Sequence, residues 1–202
     1  MSGRMALHEY LAHFVSAAVA ADERFVRSRD ASAIYDGIVV WEQLADSGAL
    51  ADANPGALVD AYLAVSMLYA RRHEMLGRST DLSLALRYLR EARRHVEPGS
   101  FADLQERMSR AACLLVRFQA DGQPEDLDDA IAGWTELVDA ADAGVAALAA
   151  ANLGRALLVR HELAGDPEDL EDGRRLLGQA TAGMPRDHPA RRDVELALRA
   201  SG

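Results

Sequence analysis

The chain has 202 residues, of which 50% are hydrophobic and only 5% aromatic, so its core must be built mainly from alanine, leucine and valine. A formal net charge of −10 and a pI near 5.0 argue against a general nucleic-acid binder, which needs a basic stripe, and against docking on anionic membranes. All 22 basic residues are arginine, and the single Cys113 leaves no intrachain disulfide.

The N-terminal stretch carries His8, Glu9 and His13 and no long apolar run. It predicts neither a signal peptide nor a membrane span, so a cytoplasmic protein is the expectation. Apolar residues at helical spacing then predict paired helices over 5–28 and 32–47, and over 56–76 and 80–96. Two further pairs are expected over 101–120 and 125–140, and over 144–163 and 168–182. A shorter helix over 188–200 follows the stop Met184-Pro185 and is expected to cap the array. The whole of 1–202 reads as one helical-repeat domain with units at 5–47, 56–96, 101–140 and 144–182.

The repeat is visible in the letters. Residues 116–129 read VRFQADGQPEDLDD, and 159–172 read VRHELAGDPEDLED. Extending this block outward aligns Ile34, Leu82, Leu127 and Leu170 at the start of the four second helices. A small column follows in Gly37, Ala85, Ala130 and Gly173, then Ile38, Leu86, Ile131 and Arg174. Trp41, Leu89, Trp134 and Leu177 come next, and Leu44, Ala92, Leu137 and Ala180 complete one helical face. The first helices have a small column of their own: Ala18, Ser66, Ala111 and Gly154. Small residues let helix backbones approach, so these columns are expected to meet where each pair crosses.

The turns agree with the columns. Gly165 is expected to end a helix in the left-handed region, Asp166 to cap the next one, and Pro167 to occupy its first position. Gly122 and Pro124 repeat the signal, and Gly77, Ser79 and Asp81 keep part of it. In the first unit Arg29 stands where the glycine is expected.

Asn152-Leu153-Gly154 in a first helix and Asp128-Asp129-Ala130-Ile131 in a second resemble the tetratricopeptide repeat. The phrase RHELAGDPEDLEDG resembles the long repeats of actinobacterial proteins found beside caspase-like CHAT protease domains or in large signalling ATPases. The resemblance implies an all-α solenoid that presents a concave groove to a partner. That partner would be a protein or peptide, with a separate CHAT-type protease or signalling protein as the implied source. The spacing between small columns is longer than in ordinary tetratricopeptide units, which lengthens both helices.

Arg72, Arg117 and Arg160 form a column with Arg24, each ten residues before the leading apolar residue of its second helix. Such a ladder suits a carboxylate-rich peptide or a C-terminal carboxylate. The competing reading is local: each arginine offsets its own helix dipole or pairs with an acidic first turn such as Asp126 or Asp169. Tyr69, His73, Asn152 and His161 are the other expected partner contacts.

The remaining candidates have plainer readings. His8 and His13 are five apart and diverge by about 140° around a helix, which does not make a zinc pair. Trp41 and Trp134 fall in an apolar column and are expected in the core. Cys113 sits in the apolar stretch AACLLV and reads as a buried thiol. The acidic run from Asp121 to Asp142 is expected to be a solvated face, with a basic partner as the alternative.

No phosphate loop, nucleophile-base arrangement or metal spacing appears in the sequence, so no catalytic residue, metal or cofactor is assigned. The expected function is a non-catalytic adaptor. The alternative is a small-molecule binder or biosynthetic enzyme whose pocket is lined by Tyr62, Tyr69, His73, His161 and Asn152. An exposed apolar end repeat would also allow a homodimer.

Overall fold

The structure is a computed structural model that describes residues 2–140 and 143–201. Among the described residues it is all-helical. The helices are α1 Ser2–Ser28, α2 Ser32–Asp46, α3 Pro55–Leu76, α4 Ser79–Arg93, α5 Phe101–Asp121, α6 Pro124–Ala140, α7 Ala143–Ala164, α8 Pro167–Gly183 and α9 Arg191–Ala200. A short 3-10 turn at Ala49–Asp52 follows α2. Asp142, at the end of the acidic run, lies outside the described residues.

The expected helices are present among the described residues, with ends that differ by a few residues. α1 begins three residues before its expected start, α4 ends three residues early at Arg93, and α9 starts at Arg191 rather than at 188. Contacts divide the chain into two compact units, Met1–Ser109 and Arg110–Gly202. The division falls inside α5, whereas the sequence reading places boundaries between pairs within a single domain.

Local chemistry sets the helix ends. Asn54 Oδ1 accepts a hydrogen bond from Gly56 N at 2.9 Å, with Pro55 at the first position of α3. Asp166 Oδ1 does the same for Glu168 N at 3.0 Å ahead of α8, where Pro167 leads. Gly77, Gly122 and Gly165 close α3, α5 and α7 with φ of 66°, 73° and 73°. Arg29 holds the matching place after α1 with φ 56°, a conformation that an L side chain enters only at a cost. Its guanidinium lies 5.1 Å from the Phe25 ring centroid and pairs with Glu74 at 2.5 Å.

The columns form the cores of the two units. Ile34, Ile38, Trp41, Leu82, Leu89, Leu127, Trp134, Leu137 and Leu177 are all buried. The last pair departs from the pattern: Leu170 and Arg174 are only half-buried. In the first unit Trp41 gathers an aromatic cluster, with Phe14 at 5.3 Å and the rings of Tyr62 and Tyr88 edge-on at 5.7 and 5.4 Å.

In the second unit α7 packs against both α6 and α8. It is the one described helix long and apolar enough to cross a membrane. Ala147, Ala149, Ala150, Leu153 and Ala156 account for that character, because they are buried inside the unit. At the α7–α8 crossing the two small columns meet. A Cβ on Gly154 would stand 2.9 Å from the Gly173 carbonyl oxygen, and one on Gly173 would stand 3.0 Å from the Gly154 oxygen. Backbone cannot retreat as a side chain can, so these two glycines fix how closely the helices lie.

Gly154→Ala is therefore expected to lower unfolding free energy by about 1–3 kcal/mol. Gly178 is inside α8, and no atom lies within 4 Å of the place an added methyl would take, so Gly178→Ala is expected to raise it by about 0.5–1 kcal/mol. Urea unfolding followed by circular dichroism measures both.

Candidate functional site

The arginine column resolves into three copies of one ion pair. Arg72 Nε and Nη2 donate to Asp81 Oδ2 and Oδ1 at 3.0 and 2.6 Å. Arg117 binds Asp126 in the same manner at 2.7 and 2.5 Å. Arg160 binds Asp169 at 2.8 and 2.8 Å, with Asp128 a further 3.3 Å from its Nη1. Each pair joins the last turns of a first helix to the first turn of the next helix. The three aspartates are buried, while the arginines stay part-exposed. The two-pronged guanidinium fixes rotation as well as distance between the partners.

The histidines repeat a second turn contact. His73 Nδ1 lies 2.9 Å from the Arg78 carbonyl, and His161 Nδ1 lies 2.6 Å from the Asp166 carbonyl. A carbonyl only accepts, so Nδ1 carries the proton in both. Tyr69 is buried. Its hydroxyl donates to Glu42 Oε1 at 3.0 Å, and its ring stacks 5.7 Å from that of Tyr88 beneath Arg72. Burial and the Glu42 bond push its phenol well above the usual range. Tyr69 thus serves the core of the first unit rather than an outer face.

A second face, one residue away from the arginine column, differs between the two units. In the second unit an open cavity of about 750 Å³ runs along α5, α7 and α9. Leu115 and Val116 from α5 and Leu158 and Val159 from α7 form its apolar floor. Asn152, Arg155, His161 and Glu162 border it on α7, Asp193 on α9, and Ser201 just after α9. Val116 is 37% exposed. Arg155 is exposed and has no ion pair among the described residues.

In the first unit the same register positions are Asp22 and Glu23 on α1 and Ala70, Arg71 and Glu74 on α3. Ions span that face. Arg71 pairs with Asp22 at 2.5 Å and with Glu74 at 2.8 Å, and Arg29 also reaches Glu74. Glu74 is held below the usual glutamate range: its burial opposes ionisation, but bonds from Arg29 and Arg71 outweigh it.

Of the expected partner contacts, Asn152 and His161 border the cavity of the second unit. Arg72, Arg117 and Arg160 hold turns, Tyr69 is in the core, and His73 bonds the turn after α3. The lining of the small-molecule alternative divides between the units: Tyr62, Tyr69 and His73 belong to the first, Asn152 and His161 to the second. Sequence reasoning missed Leu115, Val116, Arg155 and Leu158, although the repeat register marks them as one face. It also missed Glu106, which is fully buried with Arg93 Nη1 3.9 Å away.

Among the described residues no group of three His, Cys, Asp or Glu stands close enough to hold a metal ion. Cys113 is buried, and its desolvation pushes the thiol up to about 12. No family model matches the chain, and no curated protein or solved structure matches it either.

Two measurements check this picture. Arg160, by bonding Asp169, holds that carboxyl below its ordinary value. A carboxylate depressed by folding adds stability above its unfolded pKa near 4, and that stability is lost as pH falls through the folded value. Unfolding free energy is expected to fall from about pH 4 downward, and Arg160→Gln to cost about 1–3 kcal/mol at pH 7 and to flatten that acid loss. Cys113 is expected to react with a disulfide reagent at pH 8 at least about a hundredfold more slowly in the native chain than in urea.

Proposed function

We propose that this chain is a non-catalytic scaffold that binds a protein or peptide segment in the cavity along α5, α7 and α9. On this reading α1–α2, α3–α4, α5–α6 and α7–α8 are antiparallel hairpins of an α-solenoid, and α9 is its cap. The repeated Arg–Asp turn contacts and the shared register of the four pairs support that architecture. The resemblance to long actinobacterial repeats points to a separate CHAT-type protease or signalling protein as the source of the segment.

The observation that carries the binding reading is the contrast between one face in the two units. Where the first unit crosses it with the Asp22–Arg71–Glu74 ions, the second leaves an apolar floor and an arginine without an ion pair. Val116 is exposed on that floor and Leu158 and Val159 are half-buried, and an open apolar cavity bordered by polar groups is the usual anatomy of a recognition site. Leu115, Val116, Leu158 and Val159 ask for apolar side chains, Arg155 for a carboxylate, and Asn152 for a backbone amide. Among the described lining residues, the Ser201 hydroxyl bonds the Leu198 carbonyl, and the groups facing the cavity are those that suit recognition.

Peptide display against the immobilised chain, followed by fluorescence anisotropy of the enriched peptides, tests this. Val159→Glu and Asn152→Ala are expected to weaken binding at least about tenfold. Arg117→Gln, which alters a turn on another face, is expected to leave affinity within about twofold. Failure to enrich any peptide over an unrelated helical protein, or equal binding by Val159→Glu, would rule the cavity out.

A further inference from the structure

The first helix pair differs from the others in one position of the ion-pair column. Arg24 is the register equivalent of Arg72, Arg117 and Arg160, but Ala33 stands where those have Asp81, Asp126 and Asp169. Arg24 is exposed and has no ion pair among the described residues. Asp30 feels its charge, but that carboxylate bonds Ser32 N at 3.0 Å instead.

Arg24 also borders a cavity of about 480 Å³, and the repeat register shows what that cavity corresponds to. Ala17, Arg24, Ala33, Asp36 and Val40 stand at the positions of Leu153, Arg160, Asp169, Asp172 and Leu176. In the second unit those five residues border a cavity of about 570 Å³ whose far wall is Ile131, Thr135 and Val138 of α6. The preceding helix covers that face. In the first unit every lining residue comes from α1 or α2, so among the described residues the same face has no cover. Tyr10, at 46% exposed, and the half-buried Val40 lie open on it.

We infer that a second copy of this chain covers the α1–α2 face, in a two-fold dimer held by Arg24 of each copy against Asp36 of the other. The charge pattern is self-complementary, because both signs stand on one face at one height. Arg24 precedes the α1–α2 link, and Asp36 follows it, each by about one and a half helical turns. A two-fold axis along the helices places α1 of one copy opposite α2 of the other and brings Arg24 and Asp36 into register. An isologous interface requires this kind of reciprocity.

The open face runs along residues 10–24 of α1 and 33–40 of α2, with Arg24 and Asp36 both on its border. The occupant supplies Arg24 with the carboxylate that Ala33 lacks.

Sedimentation equilibrium of the 202-residue chain across a concentration series tests the inference. The wild type is expected to show a concentration-dependent dimer mass. Arg24→Glu and Asp36→Arg each oppose like charges across the axis and are expected to weaken dimerisation at least tenfold. The double variant Arg24→Glu with Asp36→Arg restores opposite charges and is expected to recover the dimer. Both side chains are exposed, so unchanged helicity by circular dichroism is expected for all three. Ala20→Glu, which places a charge at the centre of the face, is expected to yield a monomer. A monomer mass for the wild type at every concentration would overturn the inference. A dimer indifferent to the single charge changes, or one that the double variant fails to restore, would overturn it as well.

Discussion

A guanidinium that grips both oxygens of a buried aspartate sets the relation between paired helices in this chain. Arg72 with Asp81, Arg117 with Asp126 and Arg160 with Asp169 use the same atoms in the same arrangement. The aspartate sits in the first turn of its helix, where a negative charge meets the positive end of the dipole. The arginine sits near the end of the preceding helix, where a positive charge is favoured. One contact therefore satisfies two helix termini and also holds a buried carboxylate that would be costly alone. With that relation fixed three times over, the pairs are free to diverge on their other faces.

The pairs diverge on the face beside the arginine column. Positions equivalent by register are ionic in the first unit and apolar in the second. Asp22, Arg71 and Glu74 satisfy one another, and a face occupied in this way has little to offer a ligand. Val116 is exposed and Leu158 and Val159 are half-buried above the buried Leu115, and covering the apolar surface they leave releases unfavourable hydration. The first unit adds stiffness of another sort, because Phe14, Trp41, Tyr62 and Tyr88 interlock as rings. The second has no such cluster around Trp134 among the described residues, and its α7 and α8 approach instead through Gly154 and Gly173.

Much of the fold was legible in the letters, because a period-3.6 apolar column states which side of a helix is inward. The positions of Trp41, Trp134, Leu89 and Leu177 follow from that alone. Gly77, Gly122 and Gly165 announced their turns, and the arginine column was visible with Asp126 and Asp169 named as its alternative partners. The cavity was harder to read. Val116 and Arg117 are neighbours about 100° apart around one helix, and a column by itself does not say which of two faces the next helix covers. Tyr69 looked available because tyrosine suits a binding surface as well as a core, and its direction depends on Glu42 and Tyr88 from other helices. The division inside α5 leaves no composition signal, since a continuous helix needs the same residues on both sides of it.

The measurement closest to the central constraint is a double-mutant cycle on Arg117→Gln and Asp126→Asn, read as unfolding free energy in urea at pH 7. The bidentate pair is expected to show a coupling of at least about 1 kcal/mol, with each single change nearly as damaging as both together. Additivity within about 0.3 kcal/mol would mean that the two side chains act independently. The turns would then be held by their glycines and caps, and the arginine column would be released for another role.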